Sequence, residues 1–142
     1  MIAVDTNLLV YAHRADMPQH ASAAAAVRVL AEGRQPWAIA WPSVHEFFAT
    51  VTSTTFRPPS SPKLAWLALR NMAASPSMRL IGEGVDHLQW LGRFIGRGEV
   101  RAGMIHDARI AAICLAHGVN ELWTADRDFS RFPELKTHNP LK

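Results

Sequence analysis

The sequence predicts an α/β fold with a central, mostly parallel sheet of four to five strands, and three observations predict it. Short apolar runs of strand-forming residues recur along the chain, around positions 2–4, 36–40, 78–81 and 121–124. Longer segments between them repeat their apolar residues at helical spacing. Proline and glycine stand at the junctions, so strands and helices alternate instead of running in separate blocks.

The first run, Ile2-Ala3-Val4, stops abruptly at Asp5-Thr6-Asn7, and Leu8 to Ala12 resumes an apolar pattern that suits a helix. This predicts a buried strand that presents Asp5 at its carboxyl end, the side on which open α/β sheets bind ligands. Ala15-Asp16-Met17-Pro18 is a break. Gln19 to Glu32 reads as a helix with Ala23, Val27 and Leu30 inward, stopped by Gly33. Pro36 to Ala40 is the second strand. Trp41-Pro42-Ser43 opens a helix with Val44, Phe47, Phe48 and Val51 on its apolar side and Glu46 one turn in. Arg57-Pro58-Pro59-Ser60-Ser61-Pro62 is a loop, with too little chain on either side to divide domains.

Lys63 to Ala74 is helical through Leu64, Leu67 and Met72, and Met78 to Ile81 is the third strand. Val85 to Ile95 is amphipathic, with Leu88, Leu91, Phe94 and Ile95 on one stripe. Arg93, Arg97 and Arg101, spaced by four, form a candidate basic stripe. Met104 to Ala116 turns Ile105, Ala108, Ala111, Ala112 and Leu115 inward, and His117-Gly118 stops it. Glu121 to Thr124 is the fourth strand and runs into Ala125-Asp126-Arg127-Asp128-Phe129. An extended piece from Leu135 to His138 supplies a fifth.

The 142 residues are the size of one domain, 1–142, and their 49% apolar and 19% charged content is that of a globular chain. A single cysteine, Cys114, allows no intrachain disulfide and suits a reducing cytoplasm. No apolar run reaches the roughly 18 residues of a membrane span, and no basic region precedes an apolar leader. A formal charge of +3 is compatible with a phosphate-bearing partner without demanding one.

Four acids carry the chemistry. Asp5 and Asp126 each follow a short apolar strand, and Glu46 and Asp107 lie in the first turns of helices that start on the same side. Brought together, four carboxylates repel, and burial raises their pKa values; a divalent cation relieves both effects. All-oxygen ligation favours Mg²⁺ or Mn²⁺ over Zn²⁺, and such a site activates water against a phosphodiester. Each acid also has a plainer reading: Asp5 as a helix cap, Glu46 as a solvated side chain, Asp126 and Asp128 as turn formers. Thr6, Asn7 and Thr124 are short polar side chains at strand ends, suited to orienting carboxylates. Arg109 and Arg127 are candidates for RNA phosphate contacts or for neutralising the acids. His45 and His106 precede acids but turn about 100° away from them on a helix. Trp41 is the aromatic to test for base stacking.

Val4-Asp5-Thr6-Asn7, Glu46, His106-Asp107-Ala108-Arg109-Ile110-Ala111-Ala112 and Thr124-Ala125-Asp126-Arg127-Asp128-Phe129 together resemble the PIN-domain ribonucleases, and within them the VapC toxins of bacterial toxin–antitoxin pairs. The resemblance covers nearly the whole chain. It implies a three-layer α/β/α sandwich and a Mg²⁺- or Mn²⁺-dependent endoribonuclease acting on tRNA, rRNA or mRNA. It also implies a cytoplasmic homodimer silenced by a VapB-type antitoxin. Carried over by position, Asp5, Asp107 and Asp126 are metal ligands, Glu46 binds metal or orients the attacking water, and Asp128 is an alternate fourth acid. A catalytically silent PIN-fold binding module is the alternative. Phosphatases of the haloacid dehalogenase type need an acid where Asn7 stands. Receiver domains need an acidic pair after the first strand and a lysine after the last; here only Asp5 stands at the first place and no lysine directly follows the fourth strand.

Overall fold

In the computed structural model, which describes residues 1–142, five short strands and six helices alternate. Strand β1 (Ile2–Val4) leads into α1 (Thr6–His13) and α2 (His20–Glu32), and β2 (Trp37–Ala40) into α3 (Trp41–Val51) and α4 (Pro62–Ala73). Strand β3 (Met78–Ile81) precedes α5 (His87–Gly96) and α6 (Met104–Ala116). Strand β4 (Glu121–Trp123) is joined to β5 (Lys136–His138) through a 3₁₀ turn, Arg127–Arg131. The strands are hydrogen-bonded in the order β3-β2-β1-β4-β5, and every pair is parallel. No helix is long and apolar enough to cross a membrane.

The two-residue period of the strands separates two unlike faces. Ala3, Ala38, Ala40 and Leu122 point to one side, where they pack with Ala108, Ala111 and Ala112 of α6 and with Phe94 of α5. Val4, Trp37 and Ile39 point to the other, against Leu8, Leu9, Val27, Leu30 and Phe47 of the first helices. Alanines on both α6 and the strands remove the side-chain bulk between them, so this helix lies close on the sheet. The result is the α/β/α sandwich.

The chain first builds outward from β1 to β2 and β3, then crosses back to place β4 on the other side of β1. The strand order therefore reverses between β1 and β4. In open α/β sheets a crevice opens at such a switch point, beyond the strands' carboxyl ends. Asp5 is the first residue after β1, and Asp126 lies just beyond β4.

The helical faces differ from the sequence reading in three places. On α4 the inner residues are Ala65, Ala68, Leu69 and Met72, while Leu64 is 57% exposed. On α5, Leu88 is 81% and Ile95 48% exposed; the inward residues are Trp90, Leu91 and Phe94. A ring contact to another element fixes that rotation: Phe94 meets Phe132 at 4.8 Å between centroids. Phe48 of α3 also faces outward. Apolar residues adjacent in sequence leave the rotation of a surface helix undetermined, and the partner surface decides it.

The basic stripe does not form. Arg93 stacks over Trp90, Arg97 pairs with Glu134 at 2.7 Å, and Arg101 lies beyond the helix end, after Gly98 turns the chain with a φ of +79°. The proline-rich loop is tied to α1, where Ser60 meets His13 Nε2 at 2.8 Å and accepts from Arg14 Nη1 at 3.2 Å.

Candidate active site

The local sequence dictates how Asp5 is held. Its backbone ends β1, donating to the carbonyl of Trp123 at 3.0 Å, and its side chain then caps α1 by accepting the Thr6 amide at 2.8 Å. Capping leaves its other oxygen, Oδ2, turned toward β4, where it accepts from the Thr124 hydroxyl at 2.8 Å and from Asn7 Nδ2 at 3.3 Å. Thr124 Oγ1 in turn accepts from Asn7 Nδ2 at 3.2 Å and from the Asp126 amide at 3.0 Å. Asn7 Oδ1 closes the ring by accepting the Ala125 amide at 3.2 Å. Thr124 is thus the junction that binds the ends of β1 and β4 together.

Asp5, Glu46, Asp107 and Asp126 all line one cleft of about 340 Å³ at this point. Glu46 arrives from α3, its Oε2 accepting the Thr6 hydroxyl at 2.8 Å. Asp107 arrives from the first turn of α6, where the partial positive charge of the helix end favours an acid. Asp126 caps the 3₁₀ turn by accepting the Asp128 amide at 2.8 Å. The turn-forming role and the place in the cleft therefore coexist in one residue. Carboxylate oxygens of Asp107, Asp126 and Asp128 lie within 4.8 Å of one another, Asp128 from the exposed rim.

Electrostatics registers this crowding. Burial pushes Asp5 up to about 6 from its ordinary 3.8, aided by the charges of Glu46 and Asp107 and opposed by the Thr124 and Thr6 hydrogen bonds. Asp107 is also raised, by burial first and then by Asp126, Asp128 and Glu46, while Arg131 pulls it back. Burial, and then the nearby charge of Asp5, pushes the Cys114 thiol up to about 12, which leaves it unreactive.

The donor set is all oxygen. His45 and His106 are exposed, and neither contributes a nitrogen to the acid group. Such a set fits a hard divalent ion of the Mg²⁺ or Mn²⁺ type and not zinc.

A pH dependence follows for the ion-free chain. Between about pH 4 and pH 6 the folded state keeps a proton on Asp5 that the unfolded state has released, so stability falls as pH rises through this window. The shift is equivalent to about 3 kcal/mol. In chelator, the melting temperature is expected to be higher at pH 5 than at pH 7.5, with added Mg²⁺ restoring it at the higher pH. His13, held below its ordinary 6.5 by burial and then by Arg14, acts in the opposite sense at the acid end of this range, so the comparison is made in a His13→Gln background as well. The lowered acids Asp16, Glu83 and Glu121 act only below their ordinary 3.8 and 4.5 and are solvent-screened. A melting temperature that drops steadily from pH 7.5 to 5 would refute the placement of Asp5.

Other residues fall differently. Arg109 pairs with Glu83 and does not line the cleft, whereas Arg127 is exposed beside Asp126. Trp41 does not reach the cleft; it lines an apolar groove with Trp66 and Leu80 at the β3 edge. Two features were missed in the sequence. The exposed Arg131 lies near enough for its charge to lower the pKa of Asp107, and Tyr11, Met17 and Phe56 build an apolar wall of the cleft. Arg131 stands three residues after Asp128, a spacing that one helical turn makes adjacent; the wall gave no comparable signal.

Comparison with known proteins bears on the family and the fold. The family model described as PIN domain matches residues 2–135. Ribonuclease VapC43 of Mycobacterium tuberculosis is 34% identical over 99% of this chain and 96% of its own length. The solved VapBC2 of Rickettsia felis, bound to a promoter DNA fragment, superposes with a TM-score of 0.71 at 20% identity, covering 98% of each chain. The solved VapC20 of M. tuberculosis, a sarcin-ricin loop cleaving toxin, gives a TM-score of 0.68 at 20% identity over 92% of this chain and 93% of that one.

Proposed function

The chain belongs to the PIN-domain family, and from that premise we propose that it is the ribonuclease toxin of a VapC-type toxin–antitoxin pair, cleaving RNA phosphodiester bonds with the help of Mg²⁺ or Mn²⁺. A single domain over residues 1–142 and a cytoplasmic location are part of the same reading. The observation that carries it is the meeting of Asp5, Glu46, Asp107 and Asp126 in one cleft at the strand switch point. The relatives' name of ribonuclease supports the activity, and VapBC complexes among the similar folds support a VapB-type antitoxin as partner. A homodimer belongs to the proposal too. The exposed Trp41, Trp66 and Leu80 offer apolar surface of the sort that subunit contacts cover.

Asp5, Asp107 and Asp126 would hold the ion, with Asp128 close enough to Asp107 and Asp126 to share it. Bound there, a divalent ion supplies charge neutralisation at the phosphate and a lowered pKa for water. The chain's own groups do the rest. Thr6 occupies Glu46 Oε2, which leaves Oε1 to take the proton of the attacking water. Thr124 and Asn7 fix the direction in which Asp5 presents its carboxylate. The positive charge of Arg131, which acts on Asp107, would limit the repulsion between the acids and an incoming phosphate.

Incubating the purified chain with mixed tRNA, rRNA and mRNA should give discrete cleavage products with Mg²⁺ or Mn²⁺ and none with chelator. RNA that is bound but never cut would instead make the chain a PIN-fold binding module. Cleavage indifferent to chelator would remove the metal from the mechanism.

A further inference from the structure

Asp126 has two flanks. One faces the acids; the other opens into a second cleft of about 400 Å³, lined by Asp126 itself with Arg127, Ser130, Thr137, Asn139 and Lys142. It lies between the 3₁₀ turn and the carboxyl ends of β4 and β5. A volume in the range of roughly 300–1,000 Å³ suits a single ligand group.

Unlike the first cleft, this one sets two cations beside its single acid, Asp126. Arg127 and Lys142 are its cations, and neither is held in an ion pair. By contrast Arg14, Arg97, Arg109 and Lys136 are each tied to a carboxylate, at Asp16, Glu134, Glu83 and Glu121. The other lining groups are hydroxyls and an amide. Asn139 spends its Oδ1 on the Leu141 amide at 3.0 Å, which leaves Nδ2 to donate elsewhere. No aromatic ring lines the cleft.

We propose that this second cleft is the subsite for the nucleotide adjoining the scissile phosphate on a single-stranded RNA; the proposal rests on the ribonuclease reading of the first cleft. Because Asp126 borders both clefts, a strand with one phosphate at the acids carries its next phosphate toward Arg127 and Lys142. Uncommitted cations neutralise that phosphate, while Ser130, Thr137 and Asn139 offer hydrogen bonds to phosphate oxygens and the ribose 2′-hydroxyl. With no ring to stack on, the subsite holds its nucleotide by charge and hydrogen bonds.

The test is binding of a fluorescein-labelled single-stranded RNA 12-mer in chelator, followed by anisotropy over a salt series, with cleavage in Mg²⁺ run beside it. For the Arg127→Ala/Lys142→Ala variant, affinity should fall on the order of tenfold at 0.1 M salt, and the slope of log affinity against log salt should shrink by about 1.4, that of two lost contacts on a single strand. Arg79→Ala is the control; its exposed guanidinium bonds only the Pro76 and Met78 carbonyls. Its slope should match the unaltered chain. An unchanged slope in the double variant, a slope lowered equally by Arg79→Ala, or cleavage in Mg²⁺ without any binding in chelator overturns the subsite and leaves the ribonuclease reading standing. If the unaltered chain neither binds nor cleaves RNA, both fall.

Discussion

Replacing Asp107 by alanine is expected to abolish RNA cleavage while the melting temperature in chelator holds or rises. The carboxylate is half-buried, and its pKa is raised by burial and by three neighbouring acids, so the ion-free folded state bears its charge unwillingly. Removing it relieves repulsion without opening a cavity, because the position is in the first turn of α6 and not beneath it. Activity responds the other way. Groups that merely orient a metal ligand account for roughly 10–100-fold in affinity or activity, and loss of a ligand should exceed that. Expressed alone, the unaltered chain should arrest growth of its host, and the alanine variant should not. Circular dichroism and melting of the variant decide the interpretation: an unfolded protein would mean that Asp107 supports the fold and that its place among the acids was misjudged.

Thr124→Val is expected to lower cleavage roughly 10–100-fold near neutral pH and to shift the acid limb of the pH profile upward. Valine matches threonine in shape but takes away the hydroxyl that donates to Asp5 and accepts from Asn7 and the Asp126 amide. A buried carboxylate then loses one of its donors, and its pKa, already about 6, climbs further. Leaving such groups unsatisfied costs about 1–3 kcal/mol, which a melting curve reads directly. The pH profile separates positioning from support. A merely structural threonine would lower the melting temperature and leave the acid limb where it was. Thr124→Ser, which keeps the hydroxyl, should restore the profile.

Much of the fold was legible because the strands announce themselves. Ile2–Val4 and Leu122–Trp123 are apolar stretches that run straight into an acid or a hydroxyl, and that abrupt change marks a strand's carboxyl end. Alanine spacing from Met104 to Ala116 marked the buried helix along its full observed length. The faces of α4 and α5 were not legible. Both carry apolar residues on more than one side, and only contacts such as Phe94 with Phe132 select the rotation. The candidate site divides in the same way. Thr6, Asn7 and Thr124 stand out because short polar side chains directly after apolar strands must bond something local, and the acids are what is local. How Asp128 stands to Asp126 was hidden, since it depends on the tight 3₁₀ geometry that brings their oxygens near those of Asp107. Arg109 misled for a related reason. Two residues from Asp107 on a helix is nearly the opposite face, and there it meets Glu83.

The alanines between α6 and the sheet have a consequence for how this protein tolerates change. Asp107 rides on that helix and Asp5 directly follows β1 of the sheet beneath, with the methyl groups of Ala3, Ala108, Ala111 and their neighbours packed between helix and sheet. These positions act as a spacer of fixed thickness. A side chain only one or two carbons longer there would raise one acid away from the other and disable the catalyst without altering a single polar atom.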